Sequence, residues 1–205
     1  MEWTFPAGFF SRDDPGDDAG FYGVPRFVTH IDDAAIAAVG ALYAELHIEG
    51  RVLDLMGSWV SHFQSPPAEL TVVGMNAAEL EANPQATRWL LHDLNNNHRL
   101  PFPDRAFDAA VCCVSVDYLV HPVEVFAEVG RIVRPGGLFV CTFSNRLFPT
   151  KAIRGWLYAD ERQRPEIVAA YFRAAGGWSE PIMQRRTPPG HRGDPLDAVW
   201  AVREL

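Results

Sequence analysis

Asp54, Asn76 and Asp93 stand at or beside the ends of three short apolar runs, RVLDL, LTVVGM and TRWLLHDL, and Ser115 and Tyr118 hold the same place around the end of FDAAVCCVSV. Carboxylates in such places accept hydrogen bonds from hydroxyl and amino groups, whereas the Asn76 amide offers one acceptor oxygen and no charge. His30, Tyr118 and His121 are the side chains best suited to take a proton from a reacting group. Each histidine also has a plainer reading, because His30 precedes Asp32 and Asp33 and His121 precedes Pro122, both apt helix starts. Ser144, Asn145 and Arg146, after LFVCTF, suit an anionic group or a loop bonded to itself.

These residues need elements to hold them. RVLDL, LTVVGM, TRWLLHDL, FDAAVCCVSV and GLFVCTF are short, apolar and bounded by Gly, Pro, Asp or Asn, and they read as strands buried on both faces. Helical spacing recurs in residues 31–46, in HPVEVFAEVGRIV and in a stretch from about Pro165 to Ala175, with Gly176 and Gly177 as its stop. Strands alternating with helices predict a parallel sheet with right-handed crossovers and helices on both faces. EPIMQRRT and LDAVWAVREL, joined by a loop too short for a crossover, predict an antiparallel pair. The first twenty residues, rich in Pro, Gly and Asp, predict an arm.

Composition narrows the chemistry. At 205 residues the chain suits a single domain with a sizeable core. Eighteen basic against twenty-six acidic residues give a net charge of -8, the wrong sign for binding that rests on phosphate neutralisation, so nucleic acid is not expected as a partner. Arg185, Arg186, His191 and Arg192 form a local basic patch that reads as solvated loop. No apolar run reaches the roughly 20 residues that span a bilayer and the first residues lack a secretory pattern, so no membrane is expected and the expected location is the cytoplasm. Cys112, Cys113 and Cys141 lie within apolar runs and read as small buried residues, without metal-ligand spacing. DLMGSWVSH has one glycine, too few for a dinucleotide turn, and no GxxxxGK[ST] loop is present.

An adenosine ligand without phosphates remains, and here the residues carry a resemblance. VLDLMGSWVSH, VVGMN, LLHDLNNNHRLPFPDRAFDAAVCCVSVDYL and VGRIVRPGGLFVCTFSN occur in order and resemble the class I S-adenosylmethionine-dependent methyltransferases from about Gly50 to Asn145. The resemblance implies a Rossmann-like, seven-stranded α/β fold, mostly parallel with an antiparallel last strand. It implies S-adenosylmethionine as cofactor and a small-molecule methyl acceptor; a non-catalytic member that binds the cofactor for regulation or assembly is the alternative. Residues 50–205 would form the α/β domain, and residues 1–49 an arm and leading helix, the arm acting as a lid.

By the same resemblance, Asp54, Met56, Gly57 and Ser58 would sit at the amino-acid end of the cofactor, Gly74 and Asn76 at the ribose, Asp93 at the adenine with Met75 and Leu94 as apolar surface for the base, and Ser115 and Val116 would also bind the cofactor. Arg26, on the aromatic segment FYGVPRFVTHI, would pair with the cofactor carboxylate. His30, Tyr118 and His121 are the catalytic candidates, and no metal is implied. Two positions depart from the family: Met56 stands where further glycine is usual, and Asn76 where the ribose-binding carboxylate is usual.

Overall fold

A computed structural model describes residues 5–188 and 190–205 and has seven strands in one sheet. They are β1 (Arg51–Leu55), β2 (Glu69–Gly74), β3 (Arg88–Leu91), β4 (Phe107–Cys113), β5 (Val133–Phe143), β6 (Ile182–Arg185) and β7 (Asp197–Val202). The order is β3-β2-β1-β4-β5-β7-β6; β7 runs antiparallel to both β5 and β6, and the other pairs are parallel. This is the expected Rossmann-like arrangement. Strand order reverses between β1 and β4, which opens a crevice beyond their carboxyl ends.

Helices α1 (Asp18–Tyr22), α2 (Asp33–Glu45), α3 (Ala77–Glu81), α4 (Pro122–Ile132), α5 (Arg154–Leu157) and α6 (Gln163–Ala175) surround the sheet. On one face α2 lays Val39, Leu42 and Tyr43 over Val52, Val72 and Val111. On the other, Phe126 of α4 meets Phe139 of β5 at 4.9 Å and Phe172 of α6 at 4.7 Å between ring centroids. Pro122 opens α4, where its missing N–H costs nothing, and Gly176 ends α6 with φ 70°. Glu128 and Arg131 of α4 hold the LPFPD turn: Glu128 accepts from Leu100 N at 2.8 Å, and Arg131 bonds Glu128, Asp104 and the Leu100 carbonyl.

Three features depart from the sequence expectation. β3 is an edge strand with one exposed face, carrying Trp89 at 44% and Leu91 at 53% exposure, while Leu90 packs against the core. The crossover from β1 to β2 contains no helix; Pro66 and Pro67 interrupt it, and Phe63 packs on Tyr43 at 4.7 Å. The arm is stitched to the body rather than merely turn-rich. Arg12 bridges Ile153, and Asp18, 4% exposed, is bonded by Arg12, by Asn95 and by the fully buried Lys151. The basic patch is neutralised in part, with Arg185 on Glu161 and Asp197 and Arg186 on Glu45.

Candidate functional site

A cleft of about 310 Å³ lies at the strand-order reversal, walled by the ends of β1 to β4 and by the arm. Its backbone is strained. Of the six non-glycine residues with left-handed φ among the described residues, four line it: His30 at 63°, Met56 at 57°, His62 at 58° and Val114 at 48°. Such conformations cost about 1–2 kcal/mol each for a residue with a Cβ, and they collect where a site imposes them. Met56 stands in this conformation, which explains why glycine is usual there. Gly57 keeps the indispensable glycine role: a Cβ on it would lie 2.6 Å from Val72 Cγ1, and one on Gly74 would lie 2.3 Å from the Gly57 carbonyl. The loop thus rests directly on β2, and Gly57 N donates to Val73 O at 2.9 Å.

Asp54 ends β1 almost fully buried, and burial pushes its carboxyl up to about 7, eased in part by the Ser61 hydroxyl. Ser58 Oγ donates to Glu79 Oε2 at 2.5 Å, and Arg26 N donates to Glu79 Oε1 at 2.6 Å. The Asn76 amide is committed to the protein. Its oxygen caps α3 by accepting from Glu79 N at 3.2 Å, and its nitrogen donates to Tyr22 O at 2.9 Å and Gly23 O at 3.1 Å. Where the sequence suggested a weak ribose ligand, the amide fastens the arm to the end of β2. Asp93 Oδ1 accepts from Asn95 N and Asn96 N, and its second oxygen has no partner among the described residues.

The Arg26 guanidinium lies over the Phe21 ring at 4.6 Å and 5.5 Å from the Phe148 centroid, donating to Phe21 O and Val24 O. Among the described residues no carboxylate pairs with it. Tyr118 Oη accepts from Phe148 N at 2.8 Å, and burial raises its hydroxyl pKa. His30 packs on Phe148 at 5.4 Å; desolvation lowers its pKa, so the ring is neutral at pH 7.

The cleft brings together Arg26, His30, Asp54, Met56, Gly57, Ser58, Gly74, Met75, Asn76, Asp93, Leu94, Ser115 and Tyr118. Arg146 also lines it, paired with Asp194, but Ser144, Asn145, His121 and Val116 do not. His121 is exposed at the start of α4, its side chain making no capping bond, and Val116 points into the core from the 3-10 turn Val116–Tyr118. Sequence reasoning missed Tyr22, His62, Glu79, His92 and Phe148, which also line the cleft. Phe148 lies two residues past the Ser144–Arg146 candidates. Cys113, expected to be buried, lies half-buried on the cleft wall because the β4 strand ends there. Among the described residues no three His, Cys, Asp or Glu side chains are grouped to hold a metal, and no helix is long and apolar enough to cross a membrane.

Residues 57–141 match the family described as "Methyltransferase domain". The chain is 32% identical over 80 residues to the mitochondrial 2-methoxy-6-polyprenyl-1,4-benzoquinol methylase of Drosophila melanogaster, covering 39% of this chain and 26% of that protein. It is 45% identical over 56 residues to a demethylmenaquinone methyltransferase of a Mycobacterium species, covering 25% and 24%. These matches span about a quarter of the length of the relatives. Among solved structures, the 1,6-didemethyltoxoflavin-N1-methyltransferase of Burkholderia thailandensis superposes with a TM-score of 0.61 at 20% identity, over 85% of this chain and 80% of that one. The cyclase SpnF superposes with a TM-score of 0.57 at 16% identity, over 81% and 80%. Identities this low speak for the fold alone.

Proposed function

We propose, from the premise that this chain is a member of the class I S-adenosylmethionine-dependent methyltransferase family, that it binds S-adenosylmethionine in the cleft and transfers the methyl group to a small-molecule acceptor. The observation that carries this reading is the placement in one cleft of a guanidinium with no carboxylate partner, Arg26, and a carboxylate oxygen with no protein donor, Asp93. A ligand with a carboxylate at one end and an amino-bearing base at the other answers both. Met75 and Leu94 supply apolar surface for a flat base, and Ser58 and Glu79 supply polar groups between the two ends. The phosphate-bearing alternative has no Gly-rich loop or long helix N-terminus after β1 to receive it.

When bound, the cofactor supplies an electrophilic methyl on a sulfonium. The protein's task is then to orient two partners and to exclude water. The arm serves as the lid in this reading, since Tyr22, Arg26, Val28, Thr29 and His30 form one wall of the cleft. His30, neutral and facing the cleft, is the proton acceptor of choice, with Tyr118 as a second polar contact. The commitment of Asn76 to the arm favours a second reading, in which the protein binds the cofactor without transferring its methyl. SpnF, named as a cyclase on this fold, illustrates that the architecture alone does not dictate the reaction.

Calorimetric titration of the full chain with S-adenosylhomocysteine, beside a titration with NAD, tests the proposal. Saturable binding of the first and none of the second is expected. A response to NAD alone would overturn it.

A further inference from the structure

Beyond the adenosyl end, the cleft has a wall made almost wholly of rings. Phe148 is its hub, meeting Phe21 at 5.3 Å, His30 at 5.4 Å, Tyr118 at 5.9 Å and Tyr22 at 6.5 Å between ring centroids. Tyr22 and Tyr118 also meet at 6.5 Å. These rings come from three separate places: the arm, the turn after β4 and the segment after β5. Tyr22, His30, Tyr118 and Phe148 all line the cleft, with His30 exposed, Tyr22 and Phe148 partly exposed and Tyr118 buried behind them.

Two polar features on this wall lack a use within the protein. The Tyr22 hydroxyl is cut off from water and has no hydrogen-bond partner. Leaving a buried hydroxyl unmet is destabilising, a cost that a phenylalanine there would not incur. His30 is exposed at the cleft mouth, and its ring nitrogens have no bonded partner among the described residues.

We propose that the wall formed by Tyr22, His30, Tyr118 and Phe148 is the acceptor site and takes a flat aromatic ring bearing a hydroxyl group. The inference deepens the methyl-transfer reading and rests on it for the word acceptor. The ring stacks or packs edge-on among Tyr22, Tyr118 and Phe148, as offset aromatic pairs do. Its hydroxyl oxygen accepts from Tyr22 Oη, and its proton passes to the neutral His30 imidazole, leaving an aromatic oxyanion and an imidazolium. Aliphatic alcohols of the same size gain the oxygen contact and lose the ring contacts.

The probes are 2-naphthol and its saturated analogue decahydro-2-naphthol, titrated by calorimetry into the full chain with and without saturating S-adenosylhomocysteine. The planar compound is expected to bind about tenfold tighter than the saturated one, from its ring contacts with the wall. Tyr22→Phe should raise the melting temperature of the free protein, because the unmet hydroxyl is gone, yet weaken 2-naphthol by about three- to tenfold. A merely structural Tyr22 would not show that opposition. Phe148→Leu, which keeps the apolar volume, should weaken 2-naphthol without a comparable effect on the saturated alcohol. Equal binding of the two probes, absence of 2-naphthol binding, or an unchanged affinity in Tyr22→Phe would each overturn the site. Should S-adenosylhomocysteine fail to bind while 2-naphthol still selects the wall, the ring site stands and the cofactor reading falls; the reverse result sinks the ring site alone.

Discussion

Replacing Asn76 by aspartate separates two accounts of the end of β2. Read from sequence, Asn76→Asp restores the carboxylate that usually binds ribose hydroxyls and should keep or strengthen cofactor affinity. The structure reverses the expected sign. The Asn76 nitrogen donates to the carbonyls of Tyr22 and Gly23, and a carboxylate there would lose both bonds and set a negative oxygen against two acceptors. The cap on α3 survives, because aspartate caps a helix as well as asparagine does. The loss therefore falls on the arm. Two hydrogen bonds at about 1 kcal/mol each, with added cost for the unmet carbonyls, give about 2–4 kcal/mol against the closed arm. Hydrogen exchange at pH 7.5 over residues 21–30 should then speed up by roughly 30-fold or more, at tenfold per 1.4 kcal/mol. S-adenosylhomocysteine should bind more weakly, since Arg26 moves with that segment. Unchanged exchange in the arm together with tighter binding would refute this reasoning and return Asn76 to the role of ribose ligand.

Met56→Gly should raise stability in a urea titration by up to about 1 kcal/mol, the relief of a left-handed φ less the lost side-chain packing, while Met56→Val should lower it. Asp54 and Asp117 are both raised to about 7 by burial, so between about pH 4, near the unfolded value, and pH 7 the folded chain holds protons that the unfolded chain releases. Their contribution to stability falls as pH rises through that window; Asp54→Asn should flatten the fall, and an unaltered pH profile would remove Asp54 from the explanation. Cys113 alone should react with a thiol reagent in the folded state, and slowly, because burial pushes its thiol up to about 12 while Cys112 and Cys141 are fully enclosed. Rapid modification of more than one thiol would contradict the packing of β4 against β5.

The sheet was legible because its central strands are continuous apolar runs ending in polar residues, the mark of strands covered on both faces. β3 misled because TRWLLHDL carries the same composition, and position in the sheet, not composition, decides exposure. The helix-free crossover had a signal in Pro66 and Pro67. Within the cleft, residues at strand ends were found because topology delivers them there whatever the loops do. A 3-10 segment after β4 turns Val116 inward and leaves Ser115 and Tyr118 lining the cleft. Tyr22, Glu79 and Phe148 arrive from the arm, the first turn of α3 and the loop after β5, so contact between them depends on tertiary folding. No spacing in the chain encodes that contact. The sequence pointed the Asn76 amide at a ribose, and only the position of the Tyr22 and Gly23 carbonyls shows it bonded to the arm.

In the proposed reading, the cleft at the β1/β4 reversal, closed by the arm, holds the adenosyl cofactor. Hydrogen exchange of the full chain with and without saturating S-adenosylhomocysteine tests it most directly. Protection is expected together in residues 21–30, 56–59, 74–76 and 93–95, with the far edge around β6 unaffected. Protection confined to other segments, or none at a concentration that saturates calorimetric binding, would contradict it.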